Sequence, residues 1–131
     1  MLKNANRMRA TIPVKDMARA RAFYSEKLGL EIAQEDGTGL IYQAGPDQFL
    51  LFESGGAASG GHTQMGFDVE DVEAEVAQLR SRGVTFEDYD VPGLKTENGI
   101  ASIAGARGGW FKDSEGNLLA VFQRQEAAVT S

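Results

Sequence analysis

Cysteine is absent from the 131 residues. That excludes a disulfide framework, a thiolate nucleophile and any Cys-ligated zinc or iron–sulfur centre. A chain of this kind suits a reducing compartment, and a cytoplasmic location is expected. Long apolar runs are also missing: no window approaches the ~18 residues of a membrane span. Met1 to Arg9 is polar and basic with no apolar stretch behind it, so neither export nor membrane insertion is expected. Positive charge is in short supply, with 13 Lys and Arg against 19 Asp and Glu and a formal net charge of −6. Such a balance repels phosphate backbones, and the basic residues are scattered rather than striped, so nucleic acid is not an expected partner. What remains is ordinary for a globular protein, 42% apolar and 24% charged. One domain over residues 1–131 is expected.

Two stretches of the chain follow the same plan. In the first, apolar residues alternate through Met8, Ala10, Ile12 and Val14 before Asp16, a helical pattern over 17–28 and Gly29. In the second, Met65, Phe67 and Val69 alternate before Asp71, a helical pattern over 72–82 and Gly83. Asp16 and Asp71 stand where a carboxylate accepts from the free N–H groups of a first helical turn. Gly29 and Gly83 stand where a helix needs a left-handed residue to end. The two aspartates are 71 − 16 = 55 positions apart and the two glycines 83 − 29 = 54. The helical stripes are Met17, Ala20, Phe23, Tyr24 and Leu28 in one copy, and Val72, Val76 and Leu79 in the other. Each helix should therefore lie on the apolar face of a sheet.

Strand-like runs follow at 30–33, 39–43 and 49–53 in the first copy, and at 85–89, 101–103, 109–111 and 118–123 in the second. The turns are Gly45-Pro46-Asp47 in one and Asp113-Ser-Glu-Gly-Asn117 in the other. The plan is an α+β fold of two tandem βαβββ modules, about 7–54 and 62–123. A Gly/Ser-rich linker joins them, and a flexible tail over 124–131 is expected.

The segments Val14-x-Asp16, Arg21-Ala-Phe-Tyr24, Leu28-Gly-Leu30, Phe67-x-Val69-x-Asp71-Val72 and Trp110-Phe-x-Asp113-x-x-Gly116-Asn117 occur in one order along nearly the whole chain. In them the chain resembles the vicinal oxygen chelate superfamily of glyoxalases, bleomycin-resistance proteins and ring-cleaving dioxygenases. The resemblance implies paired modules curling mixed sheets around a cup, homodimers, and metal ligands on the first and last strand of each module. Carried onto this sequence, those ligand positions are Arg9, Leu50, Gln64 and Ala120. The internal repeat agrees for the first-strand pair, since 64 − 9 = 55. A divalent ion needs about three protein donors, and this quartet offers one together with a cation. No metal and no other cofactor are expected.

The resemblance then favours a metal-independent small-molecule-binding protein like the drug-sequestering branch of the superfamily. The alternatives are a lyase, isomerase or dioxygenase using shifted ligands such as His62 and Glu53, metal-free acid/base catalysis on an anionic substrate, or a non-catalytic interaction module. Candidate cup residues are Arg9, Leu50, Phe52, His62, Gln64, Trp110, Ala120 and Phe122. Arg9, beside apolar neighbours, needs an anion: either a ligand, which would be a small anionic or aromatic molecule, or Asp68 from a same-facing strand position. His62, the sole histidine, shares parity with Gln64 and reaches the cup rim if its strand extends that far; otherwise it is a loop residue. Trp110 can stack on a ligand ring, pack in the core or meet a second copy. Residues 92–100 and 104–109 are glycine-rich and form either a flap over the cup or a surface connection.

Overall fold

The computed structural model describes residues 1–54, 60–103 and 105–124. The centre of the Gly/Ser-rich linker, Ala104 of the proposed flap and tail residues 125–131 lie outside them. After a single 3-10 turn at Leu2–Asn4, the first module runs β1 (Ala10–Val14), α1 (Met17–Ala22), β2 (Glu31–Asp36), β3 (Gly39–Ala44) and β4 (Asp47–Glu53). The helix continues as a π-helical turn at Phe23–Lys27. The second module runs β5 (Thr63–Asp68), α2 (Val72–Ser81), a short hairpin of β6 (Asp90–Val91) and β7 (Leu94–Lys95), then β8 (Ala101–Ile103), β9 (Ala106–Lys112) and β10 (Leu118–Arg124). The two four-stranded mixed sheets have matching orders, β1-β4-β3-β2 and β5-β10-β9-β8.

The expected punctuation forms as read. Asp16 Oδ1 accepts from Arg19 N at 3.0 Å and Asp71 Oδ1 from Ala74 N at 3.1 Å. Gly29 and Gly83 take φ values of 70° and 93°, in the left-handed region that a Cβ disfavours. Register preserves the repeat, because Thr11 pairs Leu50 in one parallel ladder and Gly66 pairs Ala120 in the other. The helix-facing sides of both sheets meet in one core. Ile12, Val14, Phe49 and Leu51 of the first sheet join Phe111, Leu119 and Val121 of the second, together with Tyr24 of the first module and Val76 of α2. Strand alternation turns the opposite sides, which carry Leu50 and Phe52 or Ala120 and Phe122, away from that core.

Three expectations need correction. Residues 85–89 form no sheet strand; Phe86 makes one isolated bridge to Phe111, and the edge position is taken by the three-residue β8. The reason is local: Val84 and Phe86 are buried under their own module, which holds this stretch by packing rather than by a ladder. Arg124 belongs to β10 and pairs with Asp68 at 3.2 Å, so the tail starts one residue later than the pattern suggested. For the same reason Asp68 is not the partner of Arg9.

The modules are also joined through a five-residue turn. Asp113 Oδ1 accepts from the backbone N–H groups of Glu115 and Asn117, each at 2.8 Å, and its Oδ2 accepts from Tyr24 OH at 2.7 Å. Burial, followed by the neighbouring Asp113 charge, pushes the Tyr24 hydroxyl far above its usual pKa, so it stays a donor at any physiological pH. Asn117 Nδ2 donates to Pro13 O at 2.9 Å. Glu115 Oε1 accepts from Lys15 N and Asp16 N, both at 2.9 Å, while Oε2 accepts from Arg19 Nε at 2.7 Å.

Candidate functional site

The core-averted face of the second sheet carries a chain of rings. Trp110 and Phe122 meet edge to face with centroids 5.6 Å apart, and Tyr89 meets Trp110 edge to face at 5.8 Å. Such contacts contribute about 1 kcal/mol each beyond burial and fix ring orientation. Trp110 is buried, and its indole N–H donates to Thr63 Oγ1 at 3.1 Å. Phe122 is half-buried and lies flat against two glycines. A Cβ on Gly108 would stand 2.4 Å from Phe122 Cδ1, and one on Gly66 would stand 3.5 Å from Cδ2. Both neighbouring strands are therefore bare where the ring rests. Arg124 lies over the ring, with Cζ 5.5 Å from its centroid.

Part of the glycine-rich stretch does fold over this face. Leu94 and Tyr89 pack on the cluster of Ala101, Trp110, Leu118 and Ala120. Thr96 secures it: Oγ1 accepts from Tyr89 N at 2.8 Å and donates to Asp88 Oδ1 at 3.1 Å, while Gly99 N donates to the same Asp88 oxygen. Ala120 is fully buried beneath this cover.

A register shift between Leu118 and Leu119 sits opposite Thr63 to Met65. It pairs Thr63 with Leu118 and lets its hydroxyl reach Trp110. Gln64 falls in the bulge, with Oε1 shielded from solvent and without a donor. An acceptor left so costs about 1–3 kcal/mol. The bulge also breaks the alternation linking His62 to Gln64. His62 precedes β5 and is exposed.

The first sheet presents Leu50 and Phe52, both half-buried, with buried Ile41 beside Leu50. At one end Arg7 Nη1 and Arg9 Nη2 donate to the same atom, Gln48 Oε1, at 2.6 and 2.9 Å. Neither guanidinium has a carboxylate partner among the described residues. Two cations on one neutral amide oxygen leave their charge uncompensated. The sequence pointed to Arg9; Arg7 and Gln48 complete the group. Parity with Arg9 could have flagged Arg7, and the register Ala10↔Phe49 places Gln48 beside Arg9.

The eight candidate residues therefore fall into two groups. Arg9, Leu50 and Phe52 stand on or beside the first sheet, and Gln64, Trp110, Ala120 and Phe122 on the second, with His62 outside the strands. Among the described residues, no hydrogen bond, ion pair or ring contact joins the groups. The four positions at which the resemblance places metal ligands hold a guanidinium, an isobutyl group, one amide and a methyl group, a set that does not fit a divalent ion. No cluster of three His, Cys, Asp or Glu suited to a metal occurs among the described residues.

Known folds share this architecture. The crystal structure of a glyoxalase family protein from Enterococcus faecalis superposes with a TM-score of 0.70 at 20% identity, over 92% of this chain and 99% of that one. TnmS3, an antibiotic binding protein from Streptomyces sp. CB03234, gives 0.67 at 24% identity over 92% and 98%. UcmS2 gives 0.69 at 23% over 90% and 98%. No curated protein matches the chain. The family model of the Glyoxalase/Bleomycin resistance protein/Dioxygenase superfamily matches residues 8–121. With both halves and their order accounted for, the chain belongs to that superfamily.

Proposed function

We propose that this protein is a metal-independent small-molecule-binding protein of the cytoplasm that seats an aromatic, anionic ligand on its core-averted sheet faces. The observation that carries the reading is the Tyr89–Trp110–Phe122 ring chain over two bare glycine strands. Rings at 5–6 Å with fixed orientation are a ready surface for a planar ligand. The shielded Gln64 oxygen offers an acceptor, and Arg7 and Arg9 offer charge. These groups stand on different sheets, which supports a homodimer in which the second copy brings its other sheet to complete each site. The similar fold of an antibiotic binding protein supports a small molecule as the ligand.

Trp110 is the only tryptophan, so its fluorescence reports the site directly. Titration with polycyclic aromatic acids should give a saturable change. Phe122→Ala should weaken it at least tenfold, and Arg7→Gln with Arg9→Gln should weaken acids but not their neutral amides. A flat response to all compounds, or binding that requires an added divalent metal, contradicts the proposal. Sedimentation of a monomer would remove the shared-site arrangement.

A further inference from the structure

We propose that the seam between the two modules holds a second ligand site, which takes a small amphipathic amine: an apolar body bearing one ammonium group. The contacts between the helix ends are reciprocal, as a two-fold axis relating the modules there would make them. A Cβ on Gly29 would stand 3.2 Å from Arg82 Nη1, and its counterpart on Gly83 would stand 3.7 Å from Lys27 Nζ. Away from this axis the symmetry fails. One seam is filled by the 113–117 turn, with Glu115 and Asn117 bonded to the end of β1 and the start of α1. Seventy positions earlier, the offset between Leu50 and Ala120, the corresponding residues are Gly45 and Asp47. That hairpin closes directly on the Ala44↔Asp47 pair, so its loop is only Gly45-Pro46. It is too short, and Gly45 has no side chain, to reach the second module as Glu115 reaches the first.

The unfilled seam is a cavity of about 790 Å3. Met8, Leu28, Phe49, Met65, Phe67 and Leu79 give it apolar walls from both modules. Its ionisable lining is wholly acidic, consisting of Asp47, Asp68 and Glu75, with no Lys, Arg or His. Asp68 is paired with Arg124, but Asp47 and Glu75 have no ion-pair partner among the described residues. Arg7 and Arg9 are not in the lining themselves, although Arg9 stands between Met8 and Ala10, which are, and both guanidinium groups donate to Gln48 Oε1 at its border. Leu50, Phe52, Trp110, Ala120 and Phe122 do not line it, so this site adjoins the sheet faces at Gln48 and Gly66 without sharing their rings. A cavity of this size suits a drug-sized molecule. An ammonium group beside half-buried Glu75 would meet an uncompensated carboxylate, and the Phe49 and Phe67 rings, 6.2 Å apart, would favour the same charge.

The test uses the full chain and 4-phenylbutylamine, with 4-phenylbutanol as its uncharged counterpart. Calorimetry should show one saturable amine site per chain, with the alcohol at least fivefold weaker. Asp47→Asn with Glu75→Gln should bring the amine to the level of the alcohol while holding the thermal midpoint. In NMR spectra the Met8 and Met65 methyl signals should move on binding, and the Trp110 indole N–H should not. The proposal is overturned by absence of saturable binding, by equal affinity for amine and alcohol, by indifference to the double substitution, or by a response at Trp110 instead of the methionines.

Discussion

Replacing Glu115 with alanine should cost about 3 kcal/mol and lower the thermal midpoint by roughly 10 °C. Its carboxylate is 1% exposed, yet it bridges two modules through Lys15 N, Asp16 N and Arg19. Alanine leaves two backbone donors without their acceptor and a guanidinium without its charge partner. The same contacts hold the Glu115 pKa down to about 2 from an ordinary 4.5, chiefly through the Arg19 hydrogen bond, with the Asp16 and Lys15 N–H groups adding and burial opposing. A depressed pKa in the folded state means stability that is complete above the ordinary glutamate value and is lost as pH falls from 4.5 towards 2. Allowing for the half-exposed Arg19, that contribution is about 2 kcal/mol. Urea denaturation across this range should therefore show a steeper acid limb in the parent than in Glu115→Gln. The glutamine keeps an acceptor but does not titrate. Parallel limbs, or an alanine cost below about 1 kcal/mol, would mean that the junction is held by packing alone.

Gly39→Ala should be comparably severe, at about 3 kcal/mol, whereas Gly37→Ala two residues away should stay within about 0.5 kcal/mol. Gly39 has φ 142°, and a Cβ there would stand 2.0 Å from the carbonyl oxygen of Leu51 and 3.3 Å from Phe52 Cα. Both obstacles are backbone, so relief requires β3 and β4 to separate at the end of their ladder remote from the Gly45-Pro46 turn. A Cβ on Gly37 meets nothing within 4 Å. Thermal melts of the two variants side by side separate this local clash from any general cost of losing glycine in the turn. Equal midpoints would contradict it.

The parts of the fold that could be read in advance are those governed by neighbours in sequence. Asp16 and Asp71 cap their helices because a cap reaches only three residues ahead. Gly29 and Gly83 close them because a left-handed residue is a local need. Where the outcome depended on residues far apart, it was hidden. Glu115 sits inside a turn that was visible, but its partners lie about a hundred positions away. Arg124, at the end of the last strand, takes Asp68 from Arg9. The bulge at Thr63 and Gln64 shifts pairing by one residue, and simple alternation cannot register that. Trp110 and Phe122, on regular stretches of β9 and β10, have sheet-face positions that alternation alone can give. Gly66 and Gly108, which make room for the Phe122 ring, carry no side-chain signal.

The single glutamate latch also bears on how the molecule breathes. With one seam tied by Glu115 and Asn117 and the other left open, the least costly motion is that of a book on its spine, the halves parting at the Gly45-Pro46 side. Amide protons of Lys15 and Asp16 at the spine should exchange slowly. Those of Glu70 and Asp71 at the fore-edge, without acceptors among the described residues, should exchange quickly. Two halves of one repeat would then differ in dynamics because of one side chain that only one of them owns.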